Sequence, residues 1–317
     1  GQGFARFNAG DLLGILPEGS ALPRFYSLAS GSRDGFVEMR LGVGRRQLHP
    51  DACLSFRHHR KEKSRDHNPA PVQRLRLRYA KRGRLRFASH RDFQRAFERA
   101  LRRAGVPMAY SAGFSPHPKI SYANAAPTGT ASEAEYLEIG LAEERDPAEL
   151  RQRIDEALPP GLDILEVVVA RTSDFAERLQ ASRWRIELPG LSPADAAEAV
   201  TRLLAADEVL VERLTKNGLR TFDVRAALLT ADVAPGGDEA SPCAILGVVL
   251  RQVTPSVRPD DILAALRSVA PSPVSTGWHT PPPLVTREMQ GPLVEGGSAD
   301  VIVVGDPLAA DREADQT

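Results

Sequence analysis

Hydrophobic and polar residues alternate from residue 74 onward, and this alternation is typical of a half-buried β-strand. The residues that point to one face of the predicted strand are Leu75, Leu77 and Tyr79, and arginines lie between them. A turn at residues 81–83 follows, after which Leu85 and Phe87 resume the apolar rhythm. The segment therefore predicts a strand, a turn and a short apolar continuation, with one strongly basic face.

The hydrophobic period then changes to that of an α-helix. Ser89 is a natural N-cap, and Asp92 completes an acidic variant of the capping box. Gly105 and Pro107 stand where a C′ glycine and a following proline end a helix. The apolar face consists of Phe93, Phe97 and Leu101. Arginines cover the rest of the cylinder, and we interpret this basic helix as the functional surface.

The order of predicted elements repeats once along the chain. Residues 74–170 predict a strand, a helix, two strands, a helix and a strand, and residues 182–275 follow a similar order around an Asn217-Gly218 hairpin turn. In the second copy, residues 221–229 predict one strand, on which Asp223 and Arg225 share a face. This favours an ion pair or a hydrogen bond to the hairpin, with a ligand contact as the alternative. The sequence therefore predicts an α+β protein with two tandem ferredoxin-like units, at about 72–175 and 176–280.

The two ends of the chain lack a regular pattern. Residues 1–71 are expected to form a poorly structured extension. Residues 281–317 are rich in proline, glycine and acidic residues and are expected to be largely disordered, although 301–304 could pair as a short strand. Four histidines within 42–68 make a metal site conceivable, but a solvated basic linker is favoured because ligands in an aperiodic segment seldom form a closed shell.

Charge is unevenly distributed along the 317-residue chain. The formal net charge is zero, yet residues 57–103 contain 17 basic and 4 acidic side chains, whereas residues 134–317 contain 17 basic and 31 acidic ones. Mutual neutralisation of the two parts in the fold is the simpler explanation. The alternative is that the basic part contacts a polyanion.

Composition also limits the class of protein. The two cysteines, Cys53 and Cys243, exclude a disulfide framework and a three-cysteine iron–sulfur motif. No apolar run approaches the about 18 residues that a membrane span requires. The first ten residues lack the hydrophobic core of a signal peptide. We therefore expect a cytoplasmic protein without membrane contact, and neither a cofactor nor a metal is predicted.

The basic helix and the loop after it lead to a hypothesis of RNA binding. The loop at 110–119 combines exposed-looking aromatic residues with a lysine, which suits stacking on unpaired bases and contact with phosphates. The candidate nucleic-acid-binding residues are Arg78, Lys81, Arg82, Arg84, Arg91, Arg95, Arg99, Arg102, Arg103, Tyr110, Phe114 and Lys119. Tyr122 is a further candidate for stacking. A plain solvated arginine face is an equal alternative.

An RNA-processing enzyme is the second hypothesis. His90 at the helix start and His117 in the loop could approach each other, with Glu135, or else Glu133 or Glu138, nearby. A histidine that titrates near neutrality is the usual general acid or base. The sequence contains no legible pair of nucleophile and base, so binding is favoured over catalysis.

Long motifs between Leu77 and Leu141 carry a resemblance to a known family. They include YAKRGRLRF, SHRD, YSAGFSPHPKIS and SEAEYLEI. On these motifs the chain resembles the radical-SAM-linked protein family of unknown function, over residues of about 74–293. The resemblance implies an accessory protein whose partner is a radical SAM protein, either assisting an RNA- or ribosome-directed modification or docking as an adaptor through the acidic half. The cysteine triad of the radical enzyme itself is absent from this sequence.

A second, shorter resemblance lies near the start of the chain. Arg24-Phe25-Tyr26-Ser27 resembles the R-x-Y-S element of ferredoxin-reductase-type flavin domains. The resemblance implies flavin contacts by Arg24, Tyr26 and Ser27. A flavin barrel needs about six strands, however, and a region of about forty residues cannot supply them. We therefore expect a fragment without a working flavin site.

Overall fold

The structure is a computed structural model that describes residues 6–7, 37–38, 70–112, 114–215, 218–237, 242–270, 282–295 and 302–315. The chain divides into two units, Gly1–Lys63 and Ser64–Thr317. In the first unit, strand β1 (Arg6–Phe7) pairs antiparallel with strand β2 (Val37–Glu38). The flavin candidates Arg24, Tyr26 and Ser27 and the histidine-rich segment 42–68 lie outside the described residues.

The first ferredoxin-like unit follows the predicted order of elements. These are β3 (Gln73–Lys81), α1 (His90–Arg103), β4 (Ile120–Ala123), β5 (Ala131–Leu141), α2 (Pro147–Ala157) and β6 (Leu162–Val169). In the sheet the strands are ordered β6–β3–β5–β4, and every neighbouring pair is antiparallel. This is the strand order of a ferredoxin-like fold, in which each helix connects two parallel strands that are not neighbours.

The second ferredoxin-like unit repeats this topology. Its elements are β7 (Ala181–Pro189), α3 (Pro193–Ala205), β8 (Leu210–Thr215), β9 (Gly218–Asp223), β10 (Leu228–Gly237), β11 (Pro242–Arg251), α4 (Pro259–Val269) and β12 (Leu284–Gly291). The sheet order is β10–β11–β7–β12, while β8 and β9 form a separate hairpin. The predicted α+β class with two tandem ferredoxin-like units is confirmed.

The predicted hairpin differs from the observed one in one respect. The sequence predicts a single strand over 221–229, but the chain turns between β9 and β10. Asp223 causes this break, because its carboxylate accepts hydrogen bonds from the backbone N–H of Val209 at 3.0 Å and of Arg225 at 2.9 Å. The Arg225 side chain donates to backbone carbonyls of Leu204 and Leu228. Of the roles predicted for Asp223, the hydrogen bond to the hairpin is the one that the structure shows.

Residues after 281 are more structured than their composition predicts. Strand β12 lies between β7 and β5, antiparallel to the first and parallel to the second, and so joins the two units in one eight-stranded sheet of described residues. Further elements follow, namely β13 (Leu293–Glu295), β14 (Ile302–Val304) and α5 (Ala309–Asp315). Polar residues at buried positions, Arg287 and Gln290, conceal β12 in the sequence because they interrupt its apolar pattern.

Helix α5 is anchored by a buried carboxylate. Asp311 is completely inaccessible, and its Oδ2 accepts a hydrogen bond from Arg76 Nη1 at 2.5 Å. Thr172 Oγ1 donates to Asp311 at 2.6 Å, and Arg178 Nη1 donates at 3.1 Å. Burial opposes ionisation of this carboxyl, but hydrogen bonds from Thr172 and Arg76 hold the pKa of Asp311 below its ordinary value. The anion therefore binds α5 to the face of the sheet opposite α1 and α2.

Two apolar cores lie between the sheet and its helices. In the first ferredoxin-like unit, Phe93 and Phe97 of α1 are buried, and the Phe93 ring stacks on Tyr79 with centroids 4.5 Å apart. The second core lies beneath α3 and α4. The predicted cap of α1 is confirmed, since Ser89 Oγ accepts a hydrogen bond from the Asp92 N–H at 3.2 Å. No helix within the described ranges is long and apolar enough to cross a membrane.

Candidate nucleic-acid interface

Helix α1 presents an arginine stripe, which we define as Arg91, Arg95, Arg99 and Arg102. These positions recur every three or four residues, so they share one side of the helix, and the buried phenylalanines lie on the opposite side. All four side chains are exposed. No ion pair or hydrogen bond among the described residues involves their guanidinium groups. The stripe is therefore a solvated row of fixed positive charges.

Other predicted basic residues bind within the protein. Arg82 forms ion pairs with Glu133 and Asp163, at 2.5 and 2.8 Å. Arg78 Nε donates to the Glu133 carbonyl at 2.8 Å, and Arg103 donates to a carbonyl at the end of α2. These side chains stabilise the connections around β3 and α2.

Lys81 is the most enclosed of the predicted basic residues. It is buried, and its Nζ donates to the carbonyls of Pro127 and Ala126 at 3.3 and 3.4 Å. Burial lowers the pKa of this lysine. Arg84 is exposed in the turn before α1, whereas Lys119 is half-buried beside Gly140. Of the predicted cations outside α1, Arg84 is thus the exposed one without an ion pair in the described part of the chain.

Exposed aromatic side chains flank the arginine stripe along the chain. Phe114 is fully exposed and Tyr110 is 49% exposed, both in the loop that follows α1. Two contacts narrow this loop at its base: the Ser111 N–H donates to the His117 carbonyl at 2.8 Å, and the His117 N–H donates to Ser111 Oγ at 3.0 Å. Gly113 lies outside the described residues. The loop that follows α1 therefore displays two exposed aromatic rings.

Phe87 was not predicted as a surface residue. The sequence pattern assigns it to the apolar rhythm after β3, but a 3-10 turn at Gly83–Phe87 leaves its ring 59% exposed. The Arg86 guanidinium lies over this ring, 4.7 Å from its centroid. Phe87 precedes the Ser89 cap by two residues, so it extends the aromatic surface to the N-terminal end of α1. The only indication in the sequence that Phe87 lies at the surface is the basic residues next to it in the turn.

Tyr122, in contrast, is half-buried against the first apolar core. Its ring packs edge-on against His90 and Phe93, with centroid distances of 5.0 and 5.9 Å. Its hydroxyl group is buried without a hydrogen-bond partner among the described residues, and burial raises the pKa of the phenol. These contacts therefore leave less of the Tyr122 ring available for stacking with an RNA base.

The three catalytic candidates occupy different environments. His90 is exposed and hydrogen-bonds Gln94 at 3.0 Å, while His117 is exposed in the loop after α1. Glu135 is buried: one carboxylate oxygen pairs with Arg287, and the other accepts from the Ala126 N–H at 3.0 Å. Of the acidic residues predicted to lie nearby, Glu138 lines the same small cavity as His117. Glu135 has no free oxygen with which to exchange a proton with a substrate.

Comparisons with known proteins place the chain in a family. No curated protein matches it. Similar solved structures include an unknown protein from Galdieria sulphuraria, 16% identical over 62% of this chain and 91% of that chain, with a TM-score of 0.19. DyPB from Rhodococcus jostii RHA1 is 14% identical over 57% of this chain and 80% of that chain, also with a TM-score of 0.19. A family model described as "Uncharacterized protein conserved in bacteria (DUF2344)" matches residues 74–259. Since this match spans more than half of the sequence, the chain belongs to the bacterial family DUF2344.

Proposed function

We propose that this protein binds unpaired RNA through the arginine stripe and the aromatic residues at either end of α1. The observation that carries the proposal is the stripe itself, four exposed guanidinium groups without a partner in the described structure. Arginine binds phosphate through parallel hydrogen bonds as well as by charge. A row of such groups on a rigid helix is therefore suited to a polyanion.

The spacing of the stripe supports a nucleic-acid backbone as the partner. Side chains three or four positions apart on a helix have Cβ atoms about 5–6 Å apart, so long arginine side chains can reach successive phosphates. The opposite face of α1 is fixed in the apolar core by Phe93 and Phe97. The backbone of α1 therefore needs little ordering when a ligand binds, and the ordering that remains is that of the arginine side chains.

Exposed aromatic rings favour unpaired RNA over a duplex. In the sequence, Phe114 and Tyr110 follow the stripe and Phe87 precedes it, and all three rings are exposed. Unpaired bases can stack on such rings, whereas bases inside a duplex cannot. A pure electrostatic surface would not require these aromatic residues.

An accessory role follows from the resemblance to radical-SAM-linked proteins. A protein that holds RNA without modifying it could present that RNA, or a ribosomal component, to a radical SAM partner in the cytoplasm. The acidic second unit would be available for that partner. Co-purification of the two proteins, with and without RNA, tests this part of the proposal.

Filter binding provides the primary test of RNA binding. We expect the full chain to retain a labelled unpaired oligonucleotide at low salt and to retain a duplex of the same length less well. Arg95→Ala/Arg99→Ala should lose most of this retention. Arg145→Ala/Arg202→Ala is the matched control, because it removes two exposed arginines that are paired with neighbouring acids. Failure of the wild-type chain to retain RNA at low salt would refute the proposed function.

A further inference from the structure

A polar cleft of about 590 Å³ lies where the two ferredoxin-like units meet. One wall is the segment 124–128, which connects β4 to β5, and the other is the segment 252–260, which leads into α4. Trp184 of β7 and Arg287 of β12 are buried residues at its base. A cavity of about 300–1,000 Å³ is typical of small-molecule sites, which often lie between domains.

The base of the cleft is held rigidly. Arg287 is paired with Glu135, and its guanidinium lies over the Trp184 ring, 5.3 Å from the centroid. The Trp184 indole N–H donates to Ser182 Oγ at 2.7 Å, and Gln290 Nε2 donates to the Ala134 carbonyl at 2.6 Å. Because these polar groups are paired with one another, the base mainly determines the shape of the cleft. The polar groups that are available to a ligand lie on the walls.

Five exposed polar side chains line the walls, namely Asn124, Thr128, Gln252, Arg258 and Asp260. Carboxamide groups can donate to and accept from the edge of a nucleobase. A guanidinium group binds phosphate, and a carboxylate accepts hydrogen bonds from ribose hydroxyl groups. The combination of two carboxamides, one guanidinium and one carboxylate fits a ribonucleotide better than a purely anionic or apolar ligand.

Arg258 occupies a position that helix stability does not explain. It is the N-cap residue of α4, where a side-chain acceptor is preferred and arginine has none. A cation is also disfavoured at the positive end of the helix dipole. The Asp261 carboxylate accepts a hydrogen bond from the Arg258 N–H at 2.7 Å. Burial raises the pKa of Asp261, and the charge of Arg258 is one of the interactions that oppose this rise. Residues that break a local rule are often found at functional sites, and Arg258 also lines the cleft.

The cleft is connected to the proposed RNA-binding surface through one loop. The Gly129 N–H, directly after the wall at 124–128, donates to the Arg86 carbonyl at 2.8 Å. A side chain placed at Gly129 would lie 4.0 Å from the Phe87 ring. The aromatic residue at the N-terminal end of α1 therefore packs beside the wall of the cleft.

We propose that the cleft binds one ribonucleotide of the RNA, either terminal or unstacked. In this arrangement Arg258 binds the phosphate, Asp260 accepts from the ribose 2′-hydroxyl, and Asn124 and Gln252 contact the base. This inference rests on the proposed function for its biological ligand. The cleft itself can be tested with mononucleotides, independently of the arginine stripe.

The test is calorimetric titration of the full chain with the four ribonucleoside 5′-monophosphates and their 2′-deoxy counterparts at millimolar concentration. We expect at least one ribonucleotide to bind at a single site, and Arg258→Ala to weaken it by about ten- to a hundredfold, the range for a lost hydrogen bond to a charged group. Asp260→Ala should abolish the preference for the ribonucleotide over the deoxynucleotide. Arg202→Ala, on α3, controls for the loss of an exposed arginine.

The outcomes distinguish nucleotide binding in the cleft from RNA binding by the arginine stripe. Mononucleotide binding that survives in Arg95→Ala/Arg99→Ala but falls in Arg258→Ala supports the cleft, even if RNA retention fails. No detectable mononucleotide binding by the wild-type chain would overturn the proposal. Binding that is equal in wild type, Arg258→Ala and Asp260→Ala would also overturn it, whatever the result with RNA.

Discussion

Salt dependence gives the sharpest quantitative test of the arginine stripe. Each phosphate neutralised on a single strand contributes about −0.7 to the slope of log affinity against log salt, so four arginines predict a slope of about −2.8. Affinity should then fall by about 50-fold between about 50 and 200 mM salt. Arg95→Ala/Arg99→Ala removes the two central charges. For this variant we expect a slope of about −1.4, so that its affinity falls by only about sevenfold over the same salt range.

Fluorescence anisotropy of a labelled unpaired oligonucleotide measures these slopes directly. Alanine is the strongest helix former, so the double variant should unfold at the same temperature as the wild type or slightly higher. The control Arg145→Ala/Arg202→Ala changes the net charge by the same amount away from α1 and should keep the wild-type slope. Equal slopes in wild type and Arg95→Ala/Arg99→Ala, or an equal reduction in the control, would refute a specific role for the stripe.

Three further predictions follow from the contacts described above. Phe114→Ala should weaken binding of unpaired RNA by about 1–3 kcal/mol and leave the salt slope unchanged; a changed slope would argue against stacking. Asp311→Ala removes one of the two carboxylates paired with the buried Arg76, the other being Glu138, and should lower the free energy of unfolding in urea by about 1–3 kcal/mol, the range for leaving buried hydrogen-bond donors unsatisfied. Because the pKa of Asp311 is lowered in the folded state, its contribution is present above the ordinary carboxyl pKa and is lost as pH falls through the lowered value, so the difference between wild type and Asp311→Ala should narrow in acid. Glu135→Gln should destabilise the fold more than Glu135→Gln/Arg287→Met does, since the double variant removes the unpaired charge; the reverse order would contradict the ion pair.

The sequence is most informative where local periodicity coincides with burial. In β3 the alternation of Leu75 and Leu77 with arginines predicts the strand, and in α1 the spacing of Phe93 and Phe97 predicts the buried side. Strand β12 lacks this signal because the charge of Arg287, at a buried position, is neutralised by Glu135, 152 residues away in the sequence. Likewise, Asp311 reads as part of an acidic tail until its partner Arg76, 235 residues away, is known.

In the candidate site, too, the sequence does not show which charged residues are paired within the protein. Arg82 and Arg95 are indistinguishable by residue type and local charge, but Arg82 is paired with Glu133 and Asp163 while Arg95 is exposed without a partner among the described residues. Helical periodicity identifies which arginines of α1 point outward. It gives no information on basic residues in β3 and the turn after it, because their partners come from other strands.

The position of β12 explains how the two ferredoxin-like units are joined. The family match ends at residue 259, at the start of α4, whereas the fourth strand of the second unit is residues 284–291. This strand pairs with β7 of its own unit and with β5 of the other, and it supplies Arg287, the counter-charge of Glu135. The same arginine lies at the base of the cleft. The pairing that joins the two sheets therefore also forms the base on which the proposed nucleotide site is built.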